Sequence, residues 1–255
     1  MEKKLLLVVL VVVGLCSTVA LALDPMGPPT AGLKKGQWSA GIEWASSDMT
    51  VKRVMPRWFE PKHEADIPEM SKIYANIGYG FADNVEAFVR LGAGAADYER
   101  TTYSWDWEGS GDYRFTYGGG VKLTLAEQPG LKWGLLAQYS WGDFHGEKDD
   151  KWGTTPGSYN LKLDEMQIAI GPTWTPAENV SIYGGPFLHF IRGYTEDRQF
   201  NYDDSDVGRH PIKEDGWLGG YIGVQVGVAP NSTVNGEWMQ TAEAKGFAVG
   251  LVWRQ

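Results

Sequence analysis

Eight ionisable residues in this chain are spaced for a confined polar space. Acids Glu43, Glu86 and Glu237 and bases Lys72, Arg90, Arg114, Lys122 and Lys132 all sit on the polar side of segments that alternate polar and apolar residues. Gathered in one enclosure, their charges nearly balance. Unpaired charge there is costly, so the cluster is expected to pair, with Glu86 meeting Lys122 or Lys132. The functional alternative is a charged constriction that selects ions. His189 falls on the same inward side beside Phe187. No second His or Cys stands at metal-ligand spacing, so no metal and no cofactor is assigned. Two other stretches are acidic: Asp143, Glu147, Asp149 and Asp150, then Glu196, Asp197, Asp203, Asp204, Asp206, Glu214 and Asp215. Asp203, Asp204 and Asp206 carry the oxygens that Ca²⁺ prefers, without the glycine turn and spacing of a helical calcium loop. Solvated acidic loops, bridged by divalent ions to anionic headgroups, account for them better.

The elements that must position these residues are strands. From Lys72 to Phe81 the residues Ile73, Ala75, Ile77, Tyr79 and Phe81 alternate with Lys72, Tyr74, Asn76, Gly78 and Gly80. After Asp83-Asn84 the pattern restarts with Val85, Ala87, Val89 and Leu91 against Glu86, Phe88, Arg90 and Gly92. Period two puts these sets on opposite faces. One face is apolar, and the other mixes glycine with charge. A soluble barrel has its apolar face inside; this pattern suits a barrel with lipid outside and a polar lumen. The alternation recurs to the C-terminus and predicts ten strands. The ninth, near Val234–Trp238, is weak, which leaves eight or twelve as alternatives. In the sixth, Leu161 and Leu163 share one parity and Met166, Ile168 and Ile170 the other, which predicts a β-bulge near Asp164-Glu165. Inward Gly78, Gly80, Gly92, Gly94, Gly118 and Gly120 predict a bare sector of wall, faced by Tyr183, Phe187, His189 and Tyr221.

Connections alternate in length. Short ones fall near residues 82–84, 126–130, 176–179 and 229–232; long ones near 46–69, 98–111, 144–158 and 195–215; the last, near 241–245, is short again. With an even strand count, both termini lie on the side of the short turns. Many of the twelve tryptophans and twelve tyrosines fall at strand ends. Phe81, Trp133, Trp174 and Trp253 lie near one end; Tyr113, Trp141, Tyr194 and Trp217 lie beside long loops. Two headgroup-level girdles are expected of them. Trp58, Trp105, Trp107 and Trp152, in the loops, would suit a sugar-binding groove instead.

The N-terminus reads as an export signal. Two lysines precede the apolar run 5–15, and Ala20-Leu21-Ala22 is a small-x-small cleavage site. The run is too short to span a membrane, so cleavage after Ala22 is expected. Cys16, the only cysteine, would leave with it. The formal charge is −9 and becomes one unit more negative without Glu2, Lys3 and Lys4, a poor balance for nucleic-acid binding. Residues 23–35, rich in proline and glycine, are expected to form an unstructured periplasmic leader, and residues 36–255 one barrel.

In this pattern the chain resembles the small bacterial outer-membrane β-barrel proteins, including the opacity-type and porin-like barrels. The resemblance covers nearly all of residues 23–255 and rests on no specific motif. That family usually ends in an aromatic residue, whereas here Trp253 is followed by Arg254 and Gln255. It implies an all-β, closed antiparallel transmembrane barrel in a Gram-negative outer membrane. The implied partners are lipid, lipopolysaccharide and the barrel-assembly machinery, and any extracellular ligand would bind at the acidic loops. The chain also resembles the omptin proteases in strand number. That family sets an Asp-x-Asp and an Asp-x-His pair across the barrel mouth to activate water. Asp143-Phe144-His145 and Asp204-Ser205-Asp206 have those spacings, in the opposite chain order. The expectation is a non-enzymatic, structural or surface-exposed barrel with a largely plugged lumen. A narrow passive channel for small polar solutes is the next reading, and a barrel protease the last.

Overall fold

Alternating β-branched, aromatic and glycine residues give strands almost throughout. The computed structural model describes residues 23–53, 64–101, 106–150, 157–199, 208–213 and 216–255. The expected signal peptide, Cys16, Trp58, Trp105, Trp152, Asp203, Asp204, Asp206, Glu214 and Asp215 lie outside them, as do the side chains of Trp107, Asp149, Asp150 and Asp197.

Thirteen strands form one sheet among the described residues: β1 Trp38–Arg53, β2 Glu64–Ala82, β3 Val85–Ala96, β4 Tyr98–Thr101, β5 Asp106–Asp112, β6 Arg114–Gln128, β7 Leu131–Asp150, β8 Gly157–Ala177, β9 Val180–Gln199, β10 Gly208–Lys213, β11 Leu218–Ala229, β12 Ser232–Gln240 and β13 Ala244–Arg254. Ten of them close a ring in the order β1, β2, β3, β6, β7, β8, β9, β11, β12, β13 and back to β1, each pair antiparallel. This is the ten-stranded closed barrel. Tight turns join strands at the end where β1 begins and β13 ends.

The other end is narrower. There β3 and β6 stop, and the β4–β5 hairpin bridges β2 to β7. On the far side β11, β12 and β13 stop, and β10 bridges β9 to β1. The ring at this level has eight members: β1, β2, β4, β5, β7, β8, β9 and β10. Eight strands enclose only enough room for side chains. The space is filled by Val51, Ile67, Tyr98, Phe144, Tyr159, Leu161 and Ile212, all buried. Tyr98 stacks on Tyr159 with ring centroids 5.4 Å apart, and Tyr159 donates to the Ala96 carbonyl at 2.6 Å.

This neck explains Leu161 and Leu163. The expected bulge is absent: β8 runs against β7 without a shift from Gly157↔Lys148 to Trp174↔Leu131. Leu161 and Leu163 point inward, as do Glu165 and Gln167 below them. The lumen turns from polar to apolar at that height, while the strand keeps its phase.

The outer wall of the ten-stranded part is apolar. Ile42, Ile73, Ile77, Val89, Leu91, Leu125, Ile222 and Leu251 are all at least 45% exposed there. A continuous exposed belt of this kind is stable only against lipid. From Trp133 to Trp141, β7 rises about 27 Å along its length, or about 20 Å along the membrane normal at the usual tilt. That is close to the height of an outer-membrane apolar band. All eight candidate girdle residues lie on the outer wall or its edges, from Phe81 (60% exposed) and Trp174 (51%) to the half-buried Trp141 and Tyr194. Trp38 packs edge-on against Trp253 at 4.9 Å near the turn end. At the other end Arg209 stacks over Tyr194 at 3.6 Å.

Candidate functional site

Residues 23–35 contain no helix or strand, yet they do not hang free below the barrel. They climb inside it. The physical reason is a series of inward side chains that take the backbone N–H groups this irregular segment cannot satisfy itself. At the rim the Lys35 N–H donates to Asp83 at 3.1 Å. Higher up, Gly32 and Leu33 donate to Glu86 Oε2 at 2.7 and 3.2 Å, and Ala31 to Thr124 at 3.1 Å. Thr30 pairs with Thr173 at 3.0 Å. Met26 and Gly27 donate to the two oxygens of Glu237 at 2.5 and 2.8 Å, and Tyr183 adds its hydroxyl at 3.0 Å. Gly27 has φ +66°, the left-handed backbone that lets consecutive N–H groups face one carboxylate. Leu23, Met26 and Leu33 are fully or almost fully buried.

The wall is thinned to admit this strap. A Cβ on Gly80 would collide with the Lys34 carbonyl, and one on Gly134 would lie 2.5 Å from the Pro29 carbonyl. Gly78 faces Leu33. The expected bare sector is therefore occupied, partly by the leader and partly by near neighbours: Phe88 lies over Gly120 and Phe144 over Gly94. Tyr183 and Phe187 do not reach across to it. They cover Gly223 and Gly219 on the adjacent strand.

At the inner end of the strap lies a buried polar network. Lys72 Nζ bonds Asp24 and Glu165, both at 2.8 Å. Tyr74 donates to Asp24 at 3.1 Å, and His189 Nε2 meets Glu165 at 3.1 Å. Gln138 donates to Gln167 at 2.5 Å and to the Pro25 carbonyl at 3.2 Å. Arg90 pairs with Glu43 at 2.9 Å and lies 4.6 Å from the Phe88 ring. Buried charge here is matched by buried charge.

Of the eight candidate lumen charges, Glu43, Lys72, Glu86, Arg90 and Glu237 are buried inside the barrel, and Lys122 lies over Phe88 at 5.6 Å. One, Arg114, does not belong to the cluster. Arg114 is half exposed on the outer wall, 3.8 Å from Asp112, because strand pairing breaks at Tyr113 and turns it out. Lys132 lines the lumen cavity near the rim and pairs with Glu127 at 2.9 Å. The expected pairing of Glu86 with Lys122 or Lys132 is also absent among the described residues. Glu86 stands opposite Lys122 in the ladder, but its carboxylate holds the leader. Sequence reasoning missed Asp24, Glu165 and Arg254. Asp24 was hidden in a segment read as free, and Glu165 in the supposed bulge. Arg254 approaches Gly32 and Glu86 from the C-terminal strand.

Below the network a cavity of about 190 Å³ separates leader from wall. Asn76, Arg90, Lys122, Asn235 and Arg254 line it. The Asp143-x-His145 pair is elsewhere. Both side chains project from the outer wall, Asp143 bonded to Lys162 at 3.1 Å and His145 to Asn160 at 2.6 Å, while Phe144 between them points inward.

No protein-family model matches the chain, and no curated protein matches it. Solved structures match its shape. The outer membrane protease OmpT from Escherichia coli superposes with a TM-score of 0.57 at 12% identity, over 91% of this chain and 99% of that one. This chain has the outer-membrane β-barrel fold. The translocator domain of autotransporter NalP from Neisseria meningitidis gives 0.45 at 11% identity, over 87% and 89% of the two chains. OprG from Pseudomonas aeruginosa gives 0.45 at 8%, over 88% and 98%. At such identities the likeness concerns the fold alone.

Proposed function

We propose that this chain is a non-enzymatic barrel of the Gram-negative outer membrane, closed along its axis and acting through its outer surface. It is exported with a cleaved signal peptide and inserted by the barrel-assembly machinery. The observation that carries the reading is the double closure: the leader fills the ten-stranded part, and apolar side chains fill the eight-stranded neck. A solute moving along the axis would have to displace both. The placement of Asp143 and His145 on the outer wall argues against an omptin-like site, whose pairs must face each other across the mouth. The cavity beside Lys122 and Arg254 favours a narrow channel only if the leader leaves and the neck opens as well.

Planar-bilayer recording of the purified full-length mature protein tests this. A closed barrel gives no steady conductance across the physiological voltage range. Reproducible ohmic steps from the wild-type chain overturn the reading in favour of a passive channel.

A further inference from the structure

We infer that the cavity between the leader and the wall is a binding site for one small oxyanion of phosphate size, held by Lys122 and Arg254. The inference goes beyond the closed-barrel reading, because it concerns a ligand held inside the lumen and not conductance along it.

The site follows from how the leader is seated. Glu86 is the ladder partner of Lys122, and side chains opposite each other on one face of a sheet are near enough to pair. The Glu86 carboxylate instead accepts the Gly32 and Leu33 N–H groups, at 2.7 and 3.2 Å. Glu237 is taken by Met26, Gly27 and Tyr183, and Glu43 by Arg90. These three carboxylates act on Lys122 at longer range, and among the described residues none lies within ion-pair distance of it. Lys122 is thus a lumen cation whose ammonium has no hydrogen-bond acceptor among the described residues. It lies over the Phe88 ring at 5.6 Å, and 3.1 Å from where a Cβ on Gly27 would stand. Phe88, Gly27 and Lys122 all line the cavity, so the ammonium borders that space. Arg254 reaches the same cavity from the C-terminal strand. It donates to Thr233 at 3.2 Å, and among the described residues no carboxylate lies within ion-pair distance of it either. A cation withdrawn from bulk water without an acceptor is costly. An ammonium and a planar guanidinium together suit an oxyanion, which offers several acceptors at once. Asn76 and Gln225 add amide donors along the lining. The volume agrees. About 190 Å³ holds about six waters at about 30 Å³ each, or an anion of five heavy atoms with water around it. The lining continues to exposed Thr175 at the side of the short turns, which gives a soluble ion a way in. The hydrogen-bonded wall keeps out a lipid headgroup that carries its tails.

The probe is inorganic phosphate. The purified mature protein, in a non-ionic detergent near neutral pH, is titrated with it by calorimetry in chloride of constant ionic strength. One saturable site is expected. Lys122→Met and Arg254→Gln should each weaken binding at least about tenfold, the loss of one charge-assisted hydrogen bond. Lys162→Gln removes an outer-wall cation that is paired with Asp143, and should leave binding unchanged. Carbamylation by cyanate, a reagent small enough for the cavity, needs no substitution. Saturating phosphate should slow modification of Lys122 at least about tenfold, read on its peptide by mass spectrometry, and leave Lys162 as it was. Modification of Lys122 that stays the same over the whole phosphate range overturns the site and leaves a hydrated lysine only. So does phosphate that binds folded Lys122→Met with undiminished affinity. Ohmic steps in the bilayer would refute the closed barrel without altering either phosphate result, so the two readings fail separately.

Discussion

Glu237 is the residue on which the leader's seat depends most, and Glu237→Ala shows by how much. Its two oxygens accept from Met26, Gly27 and Tyr183 at 2.5, 2.8 and 3.0 Å, in a site where Glu237 is only 2% exposed. A hydrogen bond to a charged acceptor contributes about 1.5–3 kcal/mol, so losing the two backbone bonds weakens the seat by about 3–6 kcal/mol. At 1.4 kcal/mol per tenfold, that is a change of about a hundredfold or more in the ratio of seated to released leader. Cys16 is the one cysteine of the sequence, so in a chain that begins at Leu23 the substitution Met26→Cys provides a single thiol reporter that is buried when the leader is seated. Both proteins in the comparison carry it, which cancels its own cost. A membrane-impermeant maleimide should label Met26→Cys slowly and the double variant with Glu237→Ala at least about a hundredfold faster, provided opening precedes labelling in rapid equilibrium. Equal labelling rates would refute the reasoning, because they would mean that Glu237 does not hold the strap.

Four further changes probe the rest of the molecule. Gly80→Val puts a side chain into the Lys34 carbonyl, and should destabilise the seated leader by about 1–3 kcal/mol, read as faster labelling of the same reporter. Leu161→Ala, in the neck, should cost about 2–5 kcal/mol in urea unfolding from liposomes. Ile77→Lys, on the lipid face, should cost about 2–4 kcal/mol by the same measurement if Ile77 lies near the bilayer midplane, whereas on a water-facing wall it would cost little. The last is a pH effect. At the outer end Glu99 is pushed above the usual carboxylate range, first by burial and then by Glu108, Asp66 and Asp97. Its folded-state value is raised, so the ionised form is the less stable one. The β4–β5 hairpin should lose stability as pH rises through that raised value and regain it below. Hydrogen-exchange protection factors for β4 and β5 that increase with pH across the carboxylate range would contradict this.

How much of this was legible in the sequence depended on whether a residue's partner was regular. Nine strands of the ten-membered ring are plain in the alternation, because lipid on one side and a crowded lumen on the other force opposite chemistry onto alternate residues; the ninth in order, near Val234–Trp238, is weak. Ile73, Ile77 and Phe81 could only be outside, and Lys72, Glu86 and Arg90 only inside. The partners of those inward residues were not legible. Glu86 and Glu237 are matched to backbone N–H groups of a segment without periodicity, and no pattern in residues 23–35 says where they point. Pro25, Pro28, Gly27 and Gly32 suggest a segment without fixed structure, whereas Gly27 is needed for the turn onto Glu237. Lys72 shows the same limit: its inward face was plain, but its partners are Asp24 and Glu165, far away in sequence. Leu161 and Leu163 broke the polar-in rule because the rule holds only where the barrel is ten strands wide.

The change from ten strands to eight separates two tasks that one cylinder would perform poorly. A barrel wide enough for ten strands leaves space that side chains alone do not fill, and an isolated wet lumen would strand buried charges such as Lys72 and Glu165. The leader solves this at the membrane level, because its backbone amides and Asp24 complete carboxylates and ammonium that the wall cannot match by itself. Beyond the membrane no lipid holds the outer wall, so stability must come from an interior like that of a soluble barrel. Narrowing to eight strands supplies it, since Tyr98 then stacks on Tyr159 and Phe144 and Leu161 are buried beside them, which excludes water. The two seals rest on different physics, hydrogen bonds and ion pairs below and apolar burial above. Loss of the leader alone therefore leaves the neck closed, and the surface above the neck is the part of the molecule left free to meet a partner.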